Sequence, residues 1–306
     1  MIYTVTLNPA IDYVIKLKSL DTGEINRTIA EDIVFGGKGL NVSSVLTRLG
    51  IPNIALGFVS GVTGEIIEKG LRDDGVKTDL IKLKEGFSRI NVKIAGGEET
   101  QINGYGPHIS HEDLNKLYGK IRGLQTGDML IMSGSVRFDL PDTVYEDMIA
   151  QLRGKDIKLV VDASKELLVN TLKHRPFLIK PNHTELCDLF GREVSTKEDC
   201  YKCAQALQQK GARNVIISLS GKGALLLDEN GKKYEMDAAS GKVISTVGSG
   251  DSMVAGFVAG WILSGDYEYA LKLGIAAGGA TAFSSKIAQD QEIWRVFDLM
   301  QKNTKK

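Results

Sequence analysis

Apolar, β-branched runs recur along this chain, and amphipathic stretches separate most of them. The runs fall at residues 54–60, 129–132, 159–162, 177–179 and 215–219, and helical periodicity marks 63–73, 142–152 and 199–209 between them. Strands this apolar need cover on both faces. The alternation therefore predicts an α/β fold whose mainly parallel central sheet lies between two layers of helices. Residues 1–5 add a strand, and 224–227 with 232–236 predict a hairpin around Glu229-Asn230-Gly231.

Two regions break the rhythm. Segments 12–17 and 28–35 are strand-like with no helix between them, as are 89–94 and 100–105, which turn at Gly96-Gly97. All four alternate polar and apolar residues, the pattern of half-exposed strands. They predict a small sheet projecting from the α/β body. No repeat or linker divides the chain, so residues 1–306 read as one domain with a discontinuous β lid from about 12–35 and 88–105.

Charge narrows the partners. Lys plus Arg and Asp plus Glu each number 38, which argues against a generally basic nucleic-acid binder. The longest apolar run, 253–263, is well short of the ~18 residues of a membrane span. The first residues read as a strand and lack a signal peptide's basic start. Three cysteines make no disulfide framework, so a cytoplasmic location is expected. Cys200 and Cys203 form a lone C-x-x-C on a helical stretch and read as two small residues of its buried face. The four histidines show no metal-ligand spacing and read as non-catalytic.

Two glycine-rich motifs carry the chemistry. Thr246-Val247-Gly248-Ser249-Gly250-Asp251-Ser252 stands between a strand-like run, 242–245, and a Gly- and Ala-rich helical stretch, 252–263. Glycines at a helix start leave N–H groups free to converge on an anion, helped by the helix dipole. An Asp among such donors opposes a phosphate, unless it takes a proton beside that phosphate. The plainer reading is an N-cap. Neither the P-loop nor the dinucleotide fingerprint is present. The second motif, Gly36-Gly37-Lys38-Gly39-Leu40-Asn41, precedes the helical stretch 42–49. Lys38 and Asn41 there could hold hydroxyls or a phosphate, or the motif is a turn with a solvated lysine.

In this order, about 210 residues apart, the two motifs resemble the signatures of the ribokinase-like (PfkB) carbohydrate kinases. The resemblance extends to Thr4-Val5-Thr6-Leu7-Asn8-Pro9-Ala10-Ile11-Asp12, Ser88-Arg89-Ile90-Asn91-Val92-Lys93, Ile102-Asn103-Gly104-Tyr105-Gly106-Pro107, Ser133-Gly134-Ser135 and Lys180-Pro181-Asn182-His183-Thr184-Glu185-Leu186. It covers nearly the whole chain and is strongest to the family's phosphosugar branch. It implies a ribokinase-like three-layer α/β/α fold and an ATP-dependent phosphotransferase with Mg²⁺. The implied acceptor is fructose 1-phosphate, giving fructose 1,6-bisphosphate, with tagatose 6-phosphate as the alternative. A catalytically silent sugar-phosphate sensor on the same fold is the different-class alternative, and Asp251 argues against it, since a sensor needs no base.

The implied roles follow. Asp251 would be the base, with the N–H groups of Gly248, Ser249 and Gly250 as the anion hole. Asp12, Gly37, Asn41, Asn103 and Ser135 would hold the sugar. Arg89 and Lys38 would hold its phosphate, with Arg27 joining from the lid. Ser218, Gly221 and Gly223, with Val247 and the anion hole, would contact ATP. Asn182 and Glu185 match the family's N-x-x-E element and would place Mg²⁺, partly through water; read alone, they are a helix cap. The resemblance also implies a homodimer joined through the lids, for which Ile15, Leu17, Ile33, Val92 and Ile94 offer an apolar surface. Two departures stand out. Ser220 occupies a position usually Gly, with Lys222 where Asp is frequent, and Val136-Arg137-Phe138-Asp139-Leu140-Pro141 replaces the family's L-P-x-G-x-P. Arg137 is either an extra phosphate contact or a surface residue.

Overall fold

The computed structural model describes residues 1–95 and 100–303. The Gly96-Gly97 turn lies outside the described residues. Strands are β1 (Ile2–Thr6), β2 (Ala10–Lys16), β3 (Ala30–Gly36), β4 (Asn53–Ser60), β5 (Thr78–Leu83), β6 (Arg89–Ala95), β7 (Thr100–Asn103), β8 (Met129–Ser133), β9 (Lys158–Asp162), β10 (Leu178–Ile179), β11 (Asn214–Ser218), β12 (Ala224–Leu227) and β13 (Lys233–Met236). Helices are α1 (Lys38–Arg48), α2 (Gly61–Asp73), α3 (His111–Arg122), α4 (Val144–Ala150), α5 (Lys165–Val169), α6 (His183–Phe190), α7 (Lys197–Gln209), α8 (Ser249–Ser264), α9 (Tyr267–Ala282) and α10 (Asp290–Asn303).

Nine strands form the central sheet, in the order β13-β12-β11-β10-β9-β8-β1-β4-β5. Pairing is parallel from β11 to β5, and the β12–β13 hairpin closes the other edge antiparallel. Successive strand residues go to opposite cores. Leu130 and Met132 of β8 pack with α3, α4, α6 and α7, while Met129 and Ile131 pack with α1, α8, α9 and α10. The same split divides Leu159 and Val161 from Val160, and Val215 and Ile217 from Ile216. Apart from Lys158 and Ser218 at strand ends, every residue of β8, β9 and β11 is buried, hence the unbroken apolar runs.

The second sheet has the order β3-β2-β6-β7. Its register makes it two-faced. Val34, Asp12, Asn91 and Asn103 share one cross-strand row, and Ile33, Tyr13, Val92 and Ile102 share the next, pointing the opposite way. Phe35 and Ile11, nearer the body, are packed with α2. Farther out, Ile33 and Ile102 are 49% and 60% exposed, while Ile90, in the row of Ile11 and Phe35, is 40% exposed. Leu17 and Ile94 are buried, so they drop out of the apolar surface expected for a partner.

Two local expectations need correction. Residues 242–245 are not a strand: the sheet ends at β13, and the N–H groups of Ile244 and Ser245 instead both donate to the carbonyl of Ala282 at the end of α9. The first helix begins at Lys38 and not at 42, which puts Lys38 and Asn41 on its opening turn. No helix among the described residues is long and apolar enough to cross a membrane.

Candidate active site

The parallel strands end, on their C-terminal side, in polar residues: Ser133 on β8, Asp162 on β9 and Ser218 on β11. Beside them β1 sits between β4 and β8, where the chain reverses its direction of sheet growth. Such a switch point opens a crevice. A cavity of about 710 Å³ lies there, bounded by Asn8, Asp12, Arg89 and Asn91 from the lid side and by Ser218, Gly223 and Phe283 elsewhere.

Asp251 lines this cavity from the first turn of α8 and is 6% exposed. Burial and the neighbouring Asp162 charge push its pKa up to about 6; the Asn41 hydrogen bond and the Lys38 and Lys180 charges pull the other way. Asn41 Nδ2 donates to Asp251 Oδ2 at 2.7 Å, fixing the carboxylate and leaving its other oxygen outside that bond. Gly248 precedes α8 with φ of 79°, and a Cβ there would come within 2.4 Å of Ile287, so only glycine makes this turn. Ser249 Oγ is sealed from solvent and has no hydrogen-bond partner, directly in the expected anion cradle. Lys180 Nζ lies 3.4 Å from where a Cβ on Gly250 would stand.

Asp162 and Lys180 went unassigned in the sequence, yet both line the cavity and are nearly inaccessible. Asp162 pairs with Lys38 Nζ at 3.4 Å and with Lys180 Nζ at 3.3 Å. Burial alone would raise its pKa, but the two lysines outweigh that and hold it low. Asp162 in turn raises Lys38. The cavity thus holds two fixed cations around one fixed anion. An acid closing the apolar run 159–162 at a C-terminal strand end was the available signal.

On the lid side, Asp12 accepts from Asn91 Nδ2 at 2.8 Å and pairs with Lys93 Nζ at 2.6 Å. Arg89 lines the cavity with its Nε buried and unpartnered. Burial lowers its pKa, with Asp12 opposing. A guanidinium short of a partner is a site that an anion would complete. Gly37, Lys38, Asn41 and Ser135 also line the cavity, as do Ser218, Gly221, Gly223, Val247, Gly248, Ser249 and Gly250.

Arg27 and Asn103 are not among its lining residues. Arg27 is exposed in the loop between β2 and β3. Asn103 shares the row of Asp12 and Asn91 but lies exposed on the edge strand β7. Asn182 and Glu185 reach the cavity and also form the helix cap: Asn182 Oδ1 accepts from Glu185 N, and Glu185 Oε2 from Asn182 N, each at 2.8 Å. Arg137 is not free to meet a phosphate. Its Nη1 donates to the carbonyl of Gly106 and its Nε to Asp139. Cys200 and Cys203 are buried on α7, and burial raises both thiols.

Residues 5–293 match the pfkB family carbohydrate kinases. The chain belongs to this family. It is 40% identical over 291 residues to a 1-phosphofructokinase of Bacillus subtilis (strain 168), covering 95% of each chain. It is 39% identical over 285 residues to a D-tagatose-1-phosphate kinase of Bacillus licheniformis, covering 93% of each. Phosphofructokinase-2 of Escherichia coli, solved in complex with substrates and products, superposes with a TM-score of 0.92 at 26% identity, covering 98% of this chain and 99% of that one. For a pfkB carbohydrate kinase, a buried carboxylate at a helix N-terminus has a ready chemical use: a base at the acceptor hydroxyl, with N–H donors for the transferring group.

Proposed function

We propose that this kinase transfers the γ-phosphoryl group of ATP to fructose 1-phosphate, giving fructose 1,6-bisphosphate. The observation that carries this reading is the pairing of Asp251 with Arg89 in one cavity: a buried, pKa-raised base and a half-buried guanidinium whose Nε is sealed from solvent and lacks a partner. The base suits a sugar hydroxyl, and the guanidinium suits a phosphate already on that sugar. Asp12, Asn91 and Gly37 are placed for the sugar, and Lys38 for charge on the phosphoryl groups.

In the reaction Asp251 accepts the hydroxyl proton as the oxygen attacks phosphorus and ADP leaves. Asn41 holds the carboxylate in line. The N–H groups of Gly248, Ser249 and Gly250, with Lys38 and Lys180, meet the charge of the transferring group. The residues near Ser218, Gly221 and Gly223 take the nucleotide. A magnesium ion fits Asn182 and Glu185: the cap uses one carboxylate oxygen of Glu185, and a cation that keeps most of its waters needs few protein donors. When bound it neutralises nucleotide phosphate charge. We read the lid as part of this one catalytic unit, working in a homodimer joined through the lids.

An ADP-release assay tests the acceptor. Fructose 1-phosphate, tagatose 1-phosphate, tagatose 6-phosphate and fructose 6-phosphate are compared side by side, with the highest kcat/KM expected for fructose 1-phosphate. Tagatose 1-phosphate belongs in the panel because a relative 39% identical is named for it. A higher kcat/KM for any of the other three would overturn the assignment.

A further inference from the structure

The segment that departs from the family pattern, Val136-Arg137-Phe138-Asp139, builds a clasp across the acceptor side of the cavity. It follows Gly134 and Ser135, both of which line the cavity. From there Arg137 Nη1 reaches across to the carbonyl of Gly106 at 2.7 Å, and its Nε binds Asp139 Oδ1 at 2.7 Å. Asp139 Oδ2 meets His108 Nδ1 at 2.8 Å. The Phe138 ring packs edge-on against Tyr105, centroids 5.4 Å apart, and the Arg137 guanidinium lies 5.0 Å over it. Three contacts thus join loop 135–139 to loop 105–108, and two more brace the clasp within loop 135–139.

The grasped loop is itself tied to the sugar side. Tyr105 O accepts from Asn8 Nδ2 at 3.0 Å, and Gly104 N donates to Asn91 Oδ1 at 3.2 Å. Asn8 and Asn91 line the cavity, and Asn91 holds Asp12. Gly106 has φ of 82°, and a Cβ there would fall 2.2 Å from Asn8 Oδ1, so the loop runs hard against that side chain. A continuous path therefore leads from Arg137 through Gly106 and Tyr105 to Asn8, and through Gly104 to Asn91 and Asp12. The nucleotide-side residues Ser218, Gly221 and Gly223 take no part in it.

We infer that Arg137 is a positioning residue for the acceptor: its fork fixes loop 104–108 and so sets Asn8, Asn91 and Asp12 against the sugar phosphate. The inference rests on the sugar-phosphate kinase reading. It accounts for an arginine and a phenylalanine that would otherwise be surface residues in a loop lacking the family's proline and glycine.

The test separates acceptor from nucleotide. Arg137→Ala is expected to raise KM for fructose 1-phosphate about tenfold, because a displaced positioning group is felt at the bound substrate. KM for ATP and kcat should stay within about twofold, since the path bypasses those residues. Arg137→Lys restores one donor but not the fork, so its acceptor KM should fall between the two. Calorimetric titration of fructose 1-phosphate without ATP should give the same order of affinities, which reads the clasp independently of turnover. Should Arg137→Ala not fold, Asp139→Asn and Phe138→Ala, which loosen the clasp from its rim, carry the same expectation. An unchanged acceptor KM, or equal shifts for acceptor and ATP, would overturn the inference while leaving the functional reading intact. A wild-type protein that phosphorylates none of the four ketose phosphates would overturn that reading and the inference with it.

Discussion

Asp251 is where burial and chemistry oppose each other. Its carboxyl is held near 6, mainly by burial and then by Asp162, against an ordinary 3.8. The base must be ionised to accept a proton, so kcat should fall about tenfold per pH unit below 6 and level off above it. Asp251→Asn should lower kcat by about 10²–10⁴ on the plateau above pH 6 and erase that limb, so the gap narrows as pH falls below 6. A variant keeping more than about a tenth of wild-type kcat would contradict the role. The same shift bears on stability. A folded pKa above the unfolded one favours the fold fully below about 3.8, and that contribution is lost as pH rises through about 6. At pH 8 the native state therefore carries on the order of 2–3 kcal/mol of strain from this carboxylate. Asp251→Asn should melt higher than wild type at pH 8, and the gap should close toward pH 4. Arg89 makes the complementary case. Its buried Nε lacks a partner until an anion arrives, so Arg89→Ala should raise KM for the sugar phosphate roughly 10–150-fold and leave KM for ATP nearly unchanged. Equal effects on both substrates in steady-state kinetics would move Arg89 out of the acceptor site.

Among the elements, the turn between β11 and β12 carries an uncommon strain. Ser220 has φ of 53°, left-handed backbone that costs a β-carbon-bearing residue about 1–2 kcal/mol. Ser220→Gly should relieve it, raising stability by about 1 kcal/mol after glycine's extra unfolded-state entropy, a few degrees of melting temperature. A lower melting temperature in calorimetry would show that the Ser220 side chain stabilises the turn. The strain also shows what a sequence can carry. Replacement of a usual glycine at Ser220 was visible, but the backbone angle was not. The two-sheet architecture was legible because burial on both faces and burial on one leave different patterns, continuous in β8 and broken by exposed residues in β3 and β6. Register was harder. Alternation places Asn103 on the polar face with Asp12 and Asn91, as found, but cannot say that edge strand β7 stops short of the cavity. Arg27 sits in a loop whose position no periodicity fixes. Asp162 and Lys180 were missed because strand ends 18 residues apart meet only once β9 and β10 pair.

For the whole molecule, the exposed lid face sets the question. A four-stranded sheet with one uncovered apolar side is marginal in water. The polar side holds Asp12, Asn91 and Lys93 together, while Ile33, Val92 and Ile102 stand in one row on the other side with two of the three largely exposed. The row ends at β3 and β7, the two outermost strands of the order β3-β2-β6-β7 among the described residues. Exposed apolar faces and open edges favour pairing with another sheet, and a second copy of the lid supplies a self-complementary one. Two lids packed face to face would bury these isoleucines and stiffen the sheet that carries Asp12 and Arg89. Light scattering should then give about twice the 33.2 kDa of one chain at micromolar concentration. Ile33→Glu with Ile102→Glu places two charges in that contact and should return the mass to one chain. Because the lone lid is marginal, the same variant should lose affinity for the sugar phosphate more than for ATP. Hydrogen exchange reads the coupling directly: amides of β2 and β6 should gain protection when fructose 1-phosphate is added to the wild type and far less in the double variant. A wild-type mass near 33.2 kDa across the concentration range would overturn the dimer and leave the apolar row facing solvent, and the lid would then have to close alone.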